Sequence, residues 1–99
     1  MKFTPQLQGD QIDLLMKALL TLTTTDEAHR FCEDVMTIKE LESIAQRLEV
    51  AVMLNRKATY QEIAQKTGAS TATISRVNRA LHYGAEGYSF VLSQLDGEI

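Results

Sequence analysis

Apolar residues recur three and four positions apart in six blocks along the chain, the spacing of amphipathic helices. The first block predicts a helix over about Gln11 to Leu22, with Asp10 placed to cap it. Ile12, Leu15, Met16, Leu19 and Leu22 make one face, while Leu14, Ala18 and Leu20 add apolar surface on another. A helix greasy on more than one side needs burial beyond one local partner, which points to a dimer. Before it, Met1 to Gly9 holds the one proline, Pro5, and reads as a loose arm. Thr24 or Thr25 starts a second helix running to about Val35. Asp26 and Glu27 suit the dipole of its first turn, and Ala28, Phe31, Cys32 and Val35 face inward.

Thr37-Ile38-Lys39-Glu40 is a capping box and opens the longest helix, about Ile38 to Arg56. Its inner face is wide: Leu41, Ile44, Ala45, Leu48, Ala51, Val52 and Met53, with Arg47 among them and Gln46 and Glu49 at its flanks. After a short break at Lys57-Ala58, Thr59-Tyr60-Gln61-Glu62 is a second capping box, and Ser70 caps the helix that follows. Beyond Leu81 comes a turn with two glycines, His82 to Gly87. A last short helix over Tyr88 to Leu95 buries Tyr88, Val91, Leu92 and Leu95, and Asp96 to Ile99 is a polar end. The pattern predicts an all-α chain of six helices in a single domain, residues 1–99. Residues 10–56 supply dimerisation helices, 59–82 a hairpin motif, and 83–99 a C-terminal turn and helix.

The stretch YQEIAQKTGASTATISRVNRAL, Tyr60 to Leu81, is where chemistry gathers. Ile63 and Ala64 lie on the inner face of its first helix, and alanine there is small enough for a second helix to cross closely. Gly68 supplies the positive φ that ends the first helix abruptly. Ile74, Val77 and Leu81 make one stripe on the second helix. Ala72, Ser75, Arg76 and Arg79 point away from it, with Thr73 on the flank. This is the spacing of a helix-turn-helix. Small residues on the outer face admit base edges, and the guanidinium groups reach bases or phosphates.

Charge sharpens the picture. The net charge of −3 argues against nucleic acid, but its distribution does not. Residues 1–55 carry five basic and nine acidic side chains, net −4. Residues 56–82 set Arg56, Lys57, Lys66, Arg76 and Arg79 against Glu62 alone, net +4, and residues 83–99 are net −3. Positive charge sits where the motif sits, so binding to phosphate is expected to be modest and steeply salt-dependent. One cysteine, Cys32, excludes an internal disulfide and suits a reducing compartment, and no signal peptide or membrane span is visible, so the cytoplasm is expected. His29 and Cys32 stand three apart, but no second Cys/His pair completes a metal site. No nucleophile, base and acid form a set, which argues against an enzyme.

Helices in this order, with Val35-Met36-Thr37, Arg47, and the run from Ile63 through Ala72-Thr73-Ile74-Ser75-Arg76, resemble the tryptophan repressor family across about Leu20 to Leu95. The ending RALHYGAEGY is similar to the YerC/YecD-type Trp-repressor-like subgroup. The resemblance implies an intertwined all-α homodimer bound to double-stranded DNA, its two motifs entering successive major grooves about 34 Å apart. It places DNA contacts on Gln61, Thr71, Ala72, Thr73, Ser75 and Arg76; Arg79 is added from its outward angle. The position matching Gln61 is arginine in the repressor, so a different operator is expected.

The same resemblance places an effector at Thr37, Arg47 and Arg76. Two further positions depart from the repressor. Val77 stands where the repressor has the glycine that leaves room for indole, and Ala80 stands where a serine accepts hydrogen bonds from the amino group. An unpaired buried ammonium costs roughly a few kcal/mol, enough to remove ordinary micromolar affinity. Tryptophan is therefore not the expected effector; no cofactor is expected, and Arg47 and Arg76 are left either to flank an unidentified anionic one or simply to pair with acids or phosphate. A helical protein-interaction module that has lost DNA reading is the alternative, motivated by the acidic flanks and the altered pocket.

Overall fold

The structure, a computed structural model, describes residues 3–98; Met1, Lys2 and Ile99, at the tips of the expected arm and tail, lie outside the described residues. Six helices follow one another: α1 (Asp10–Leu19), α2 (Thr25–Val35), α3 (Ile38–Asn55), α4 (Tyr60–Thr67), α5 (Thr71–Tyr83) and α6 (Gly87–Gln94). Among the described residues there is no strand. Two compact units divide the chain, one ending at Leu41 and one beginning at Glu42, so the boundary falls inside α3.

The first unit holds α1, α2 and the start of α3. Helix α1 departs from expectation at both ends. Asp10 is its first residue rather than its cap; Gly9 occupies the cap position and offers no side-chain bond. The helix stops at Leu19, short of Leu22, because the chain tightens there. Thr21 N–H donates to the Ala18 carbonyl at 3.1 Å, Leu22 N–H to Leu19 at 3.2 Å, and the Thr21 hydroxyl also folds back on Ala18. Helix α2 begins as its sequence dictates. Thr24 Oγ1 accepts the Glu27 N–H at 3.0 Å, while the Glu27 carboxylate accepts from Thr23 and Thr24. Neither helix has a buried residue. Ala28, Phe31 and Cys32 are half-buried, and Val35, expected inside, is exposed.

The second unit holds the core. Val50 and Ala51 of α3, Ile63 of α4, Ala69 of the turn, Ile74 and Val77 of α5, and Leu92 of α6 form one buried cluster. Helix α4 packs with α5, and α5 with α6. The wide inner face expected of α3 narrows to its C-terminal half. Val50 and Ala51 are 0% exposed, whereas Ile44 and Leu48 stay open. Lys57 takes a left-handed φ of 66° at the break after α3, where its N–H donates to the Leu54 carbonyl. Helix α5 ends at Gly84, where a Cβ would collide with the Ala80 carbonyl oxygen; the Gly84 N–H donates to that same oxygen at 2.9 Å. Among the described residues no helix is long and apolar enough to cross a membrane.

Candidate nucleic-acid interface

The hairpin α4–α5 is set by local chemistry at each of its joints. Thr59 Oγ1 accepts the Glu62 N–H at 3.1 Å and the Glu62 carboxylate accepts the Thr59 N–H at 2.8 Å, closing the capping box that starts α4. That backbone donor, with help from the Thr59 hydroxyl, holds the Glu62 carboxyl below its ordinary 4.5, so the group keeps its charge in the box. Gly68 ends α4 with φ 76°, its N–H on the Ala64 carbonyl at 2.9 Å. Ser70 then caps α5, accepting the Thr73 N–H at 3.1 Å and donating its own hydroxyl to Thr73 Oγ1.

Beneath the hairpin, Ile63, Ile74 and Val77 are sealed in the core and Leu81 is half-buried, as the stripe predicts. On the other side of α5, Ala72, Ser75, Arg76 and Arg79 are all exposed and fall at intervals of three and four on one face. Thr71 is exposed in the first turn of α5 and Gln61 in the first turn of α4. Thr73 is half-buried on the flank, its hydroxyl oxygen occupied by Ser70. Ion pairs among the described residues are His29–Glu33 and Arg30–Asp26, both within α2. Arg76 and Arg79 take part in neither. Two unpaired guanidinium groups beside small residues can donate to phosphate or base-edge oxygens without first breaking an internal ion pair.

The positions expected around an effector fall in both units. Thr37 belongs to the unit ending at Leu41, and its hydroxyl is engaged at the start of α3, accepting the Glu40 N–H at 3.1 Å. Within the second unit, a cleft of about 560 Å3 is lined by Ile44, Arg47 and Leu48 of α3, Ala80 of α5, and Tyr88 and Val91 of α6, among others. Its walls are almost wholly hydrocarbon. Arg76 does not line it, and Val77 is buried in the core. In the sequence Gln46 stands only as a neighbour of Arg47. Its Nε2–H donates to the Thr67 carbonyl at 3.1 Å, a partner 21 residues away that no local pattern signals.

Comparison with known proteins agrees with this geometry. The model of the Trp repressor protein family matches residues 10–96. Uncharacterized protein YerC of Bacillus subtilis (strain 168) is 48% identical over 90 residues, spanning 91% of this chain and 86% of the relative. A Trp operon repressor homolog of Chlamydia caviae is 39% identical over 74 residues, 74% of this chain and 69% of its own. The crystal structure of a TrpR-like protein from Eubacterium eligens superposes with a TM-score of 0.87 at 52% identity, over 93% of this chain and 95% of that one. These likenesses belong to a family of DNA-binding regulators, not enzymes. With its six helices, its glycine-ended hairpin and its match over residues 10–96, the chain belongs to the Trp repressor family.

Proposed function

We propose that this chain is a homodimeric, sequence-specific transcriptional regulator that reads the major groove of double-stranded DNA with α5. The observation that carries this reading is the outer face of α5. Arg76 and Arg79 are exposed, free of carboxylate partners among the described residues, and set beside Ala72 and Ser75 over a sealed core. In this reading Thr71, Ala72, Thr73 and Ser75 meet base edges. Arg76 and Arg79 meet bases or phosphates, and Gln61 touches the groove from α4.

Dimerisation is supported by the apolar side chains left open on the single chain. Leu14 in the middle of α1, Leu20 at its C-cap and Ile38 at the start of α3 are 69%, 84% and 78% exposed. Helices of residues 10–56 are the proposed interface. The effector, where one acts, is not tryptophan, because Val77 fills space with core packing and Ala80 presents a methyl group.

Selection from random-sequence duplexes by the wild-type protein, followed by fluorescence anisotropy on the enriched duplex, tests the reading. Enrichment of one palindromic sequence is expected. Arg76→Ala and Arg79→Ala should each weaken binding, and the logarithm of affinity should fall linearly with the logarithm of salt concentration. Wild-type protein that prefers no sequence over random DNA at low salt would defeat it. A co-purifying protein displaced by the same arginine variants would favour the interaction module instead.

A further inference from the structure

The turn of the hairpin, Gly68 to Ser70, is three residues long, and several of its polar groups are tied from within. Gly68 N–H reaches the Ala64 carbonyl, Ala69 N–H reaches Thr67 Oγ1 at 3.1 Å, and the Ser70 carbonyl receives the Ile74 N–H. The Thr67 hydroxyl in turn donates to the Ile63 carbonyl at 2.8 Å. The Thr67 carbonyl stands at the C-terminal end of α4, where carbonyls have no helical partner. Gln46 of α3 reaches it with Nε2–H at 3.1 Å. A carbonyl can only accept, so the amide must present its nitrogen to the turn. A Cβ built on Gly68 would lie 4.0 Å from that nitrogen, which places the amide directly against the turn.

Among the described residues this bond has no counterpart. Among the described residues every other side-chain hydrogen bond joins residues four apart or fewer, whereas Gln46 and Thr67 are 21 apart. The remaining attachment of the hairpin to α3 runs through Val50, Ala51, Ile63, Ala69, Ile74 and Val77, all hydrocarbon. Apolar burial is non-directional and tolerates small rotations of one helix on another. A hydrogen bond at the end of α4 does not.

We infer that Gln46 is a positioning residue for DNA reading: its amide clamps the α4–α5 turn to α3 and so fixes the angle at which the first turn of α5 is presented. The inference rests on the DNA-reading assignment above and adds the element that orients it. Thr71 and Ala72 follow the clamped carbonyl by four and five residues, so the clamp acts close to the base-reading end of α5. Recognition side chains need support of this kind to stay within about 0.5 Å of productive geometry. The clamp comes from the chain itself, so the hairpin is oriented without a bound effector.

Gln46→Met keeps length and loses the donor, and Gln46→Lys restores a donor at a helix C-terminal carbonyl. Two readouts are taken at a temperature where circular dichroism shows the fold intact. They are amide hydrogen exchange at residues 68–71 of the free protein, and the affinity ratio between the selected duplex and a random duplex. In Gln46→Met, exchange at the turn is expected to rise roughly fivefold and the ratio to fall roughly fivefold, the scale of one lost hydrogen bond. Gln46→Lys is expected to recover both, since its added charge strengthens both duplexes alike. Unchanged exchange in Gln46→Met overturns the clamp. Raised exchange with an unchanged ratio, or no recovery in Gln46→Lys, overturns the positioning role. Gln46→Ala replaces the methionine variant should that one misfold. Wild type that selects no sequence defeats the DNA reading instead, and the exchange measurement then decides the clamp alone.

Discussion

Ile63 and Leu14 are both aliphatic residues within amphipathic helices, yet Ile63 is wholly enclosed and Leu14 is 69% exposed. The contrast holds across the two units. From Glu42 onward, α3, α4, α5 and α6 close a core around Ile63, Ile74, Val50 and Val77. Up to Leu41, α1 and α2 close nothing of that kind, although α1 is rich in aliphatic residues. Such an arrangement fits a chain in which one unit can finish its packing alone and the other needs a second copy. The second unit, to which DNA reading is assigned by proposal, also carries the glycine turn and the Gln46 bond.

Four substitutions probe that difference. The largest effect is expected from Ile74→Ala, which opens a cavity under α5 and costs about 3 kcal/mol in urea unfolding. Leu14→Glu places a charge on the open face of α1 and is expected to raise the dimer dissociation constant at least about tenfold, roughly 1.4 kcal/mol, by sedimentation equilibrium. The second unit of that variant should keep its helical signal. Unfolding of the whole chain by Leu14→Glu at every concentration would erase the distinction between the units. Thr59→Ala removes the cap of α4 and is expected to lower stability by about 1 kcal/mol. Lys57→Gly relieves a left-handed backbone at the cost of chain entropy, for a net gain of about 0.5 kcal/mol in the same assay.

Acid sharpens the comparison, because both units use the same device. Glu27, Glu40 and Glu62 each take an N–H from a threonine backbone, Thr23, Thr37 and Thr59 respectively, which holds their carboxyls below the ordinary 4.5. A carboxyl with a depressed folded pKa adds stability that is complete above its unfolded value and is lost as pH falls through the folded one. The gap in urea midpoint between wild type and Glu62→Gln is therefore expected to close as pH drops below 4.5. A gap that widens in acid would contradict the box.

Legibility in the sequence tracked how locally each feature is encoded. Thr24, Thr37, Thr59, Ser70 and Gly68 announce helix boundaries through their own chemistry within four residues, and the structure places those boundaries where they indicate. The outward set of Ala72, Ser75, Arg76 and Arg79 follows from the helical period alone. Other features depend on what lies across the core. Val50 lies on the side of α3 turned away from Leu41, Ile44 and Leu48, so the stripe does not select it, yet the core around the hairpin buries it. Val35 reads as core and is exposed on the single chain. Lys57 adopts a conformation that lysine does not advertise, and the Gln46 bond closes across 21 residues.

The three threonine–glutamate boxes have a consequence for how the chain comes to be folded. Each starts a helix from information four residues wide, so α2, α3 and α4 can nucleate at fixed positions before any distant part of the chain has been synthesised or found. With so much specified over short separations, the search for the native arrangement reduces to docking ready-made rods, the regime in which small helical proteins fold in microseconds to milliseconds. Speed of that order would let the second unit reach its final form ahead of the slower meeting of chains that the proposed dimer requires.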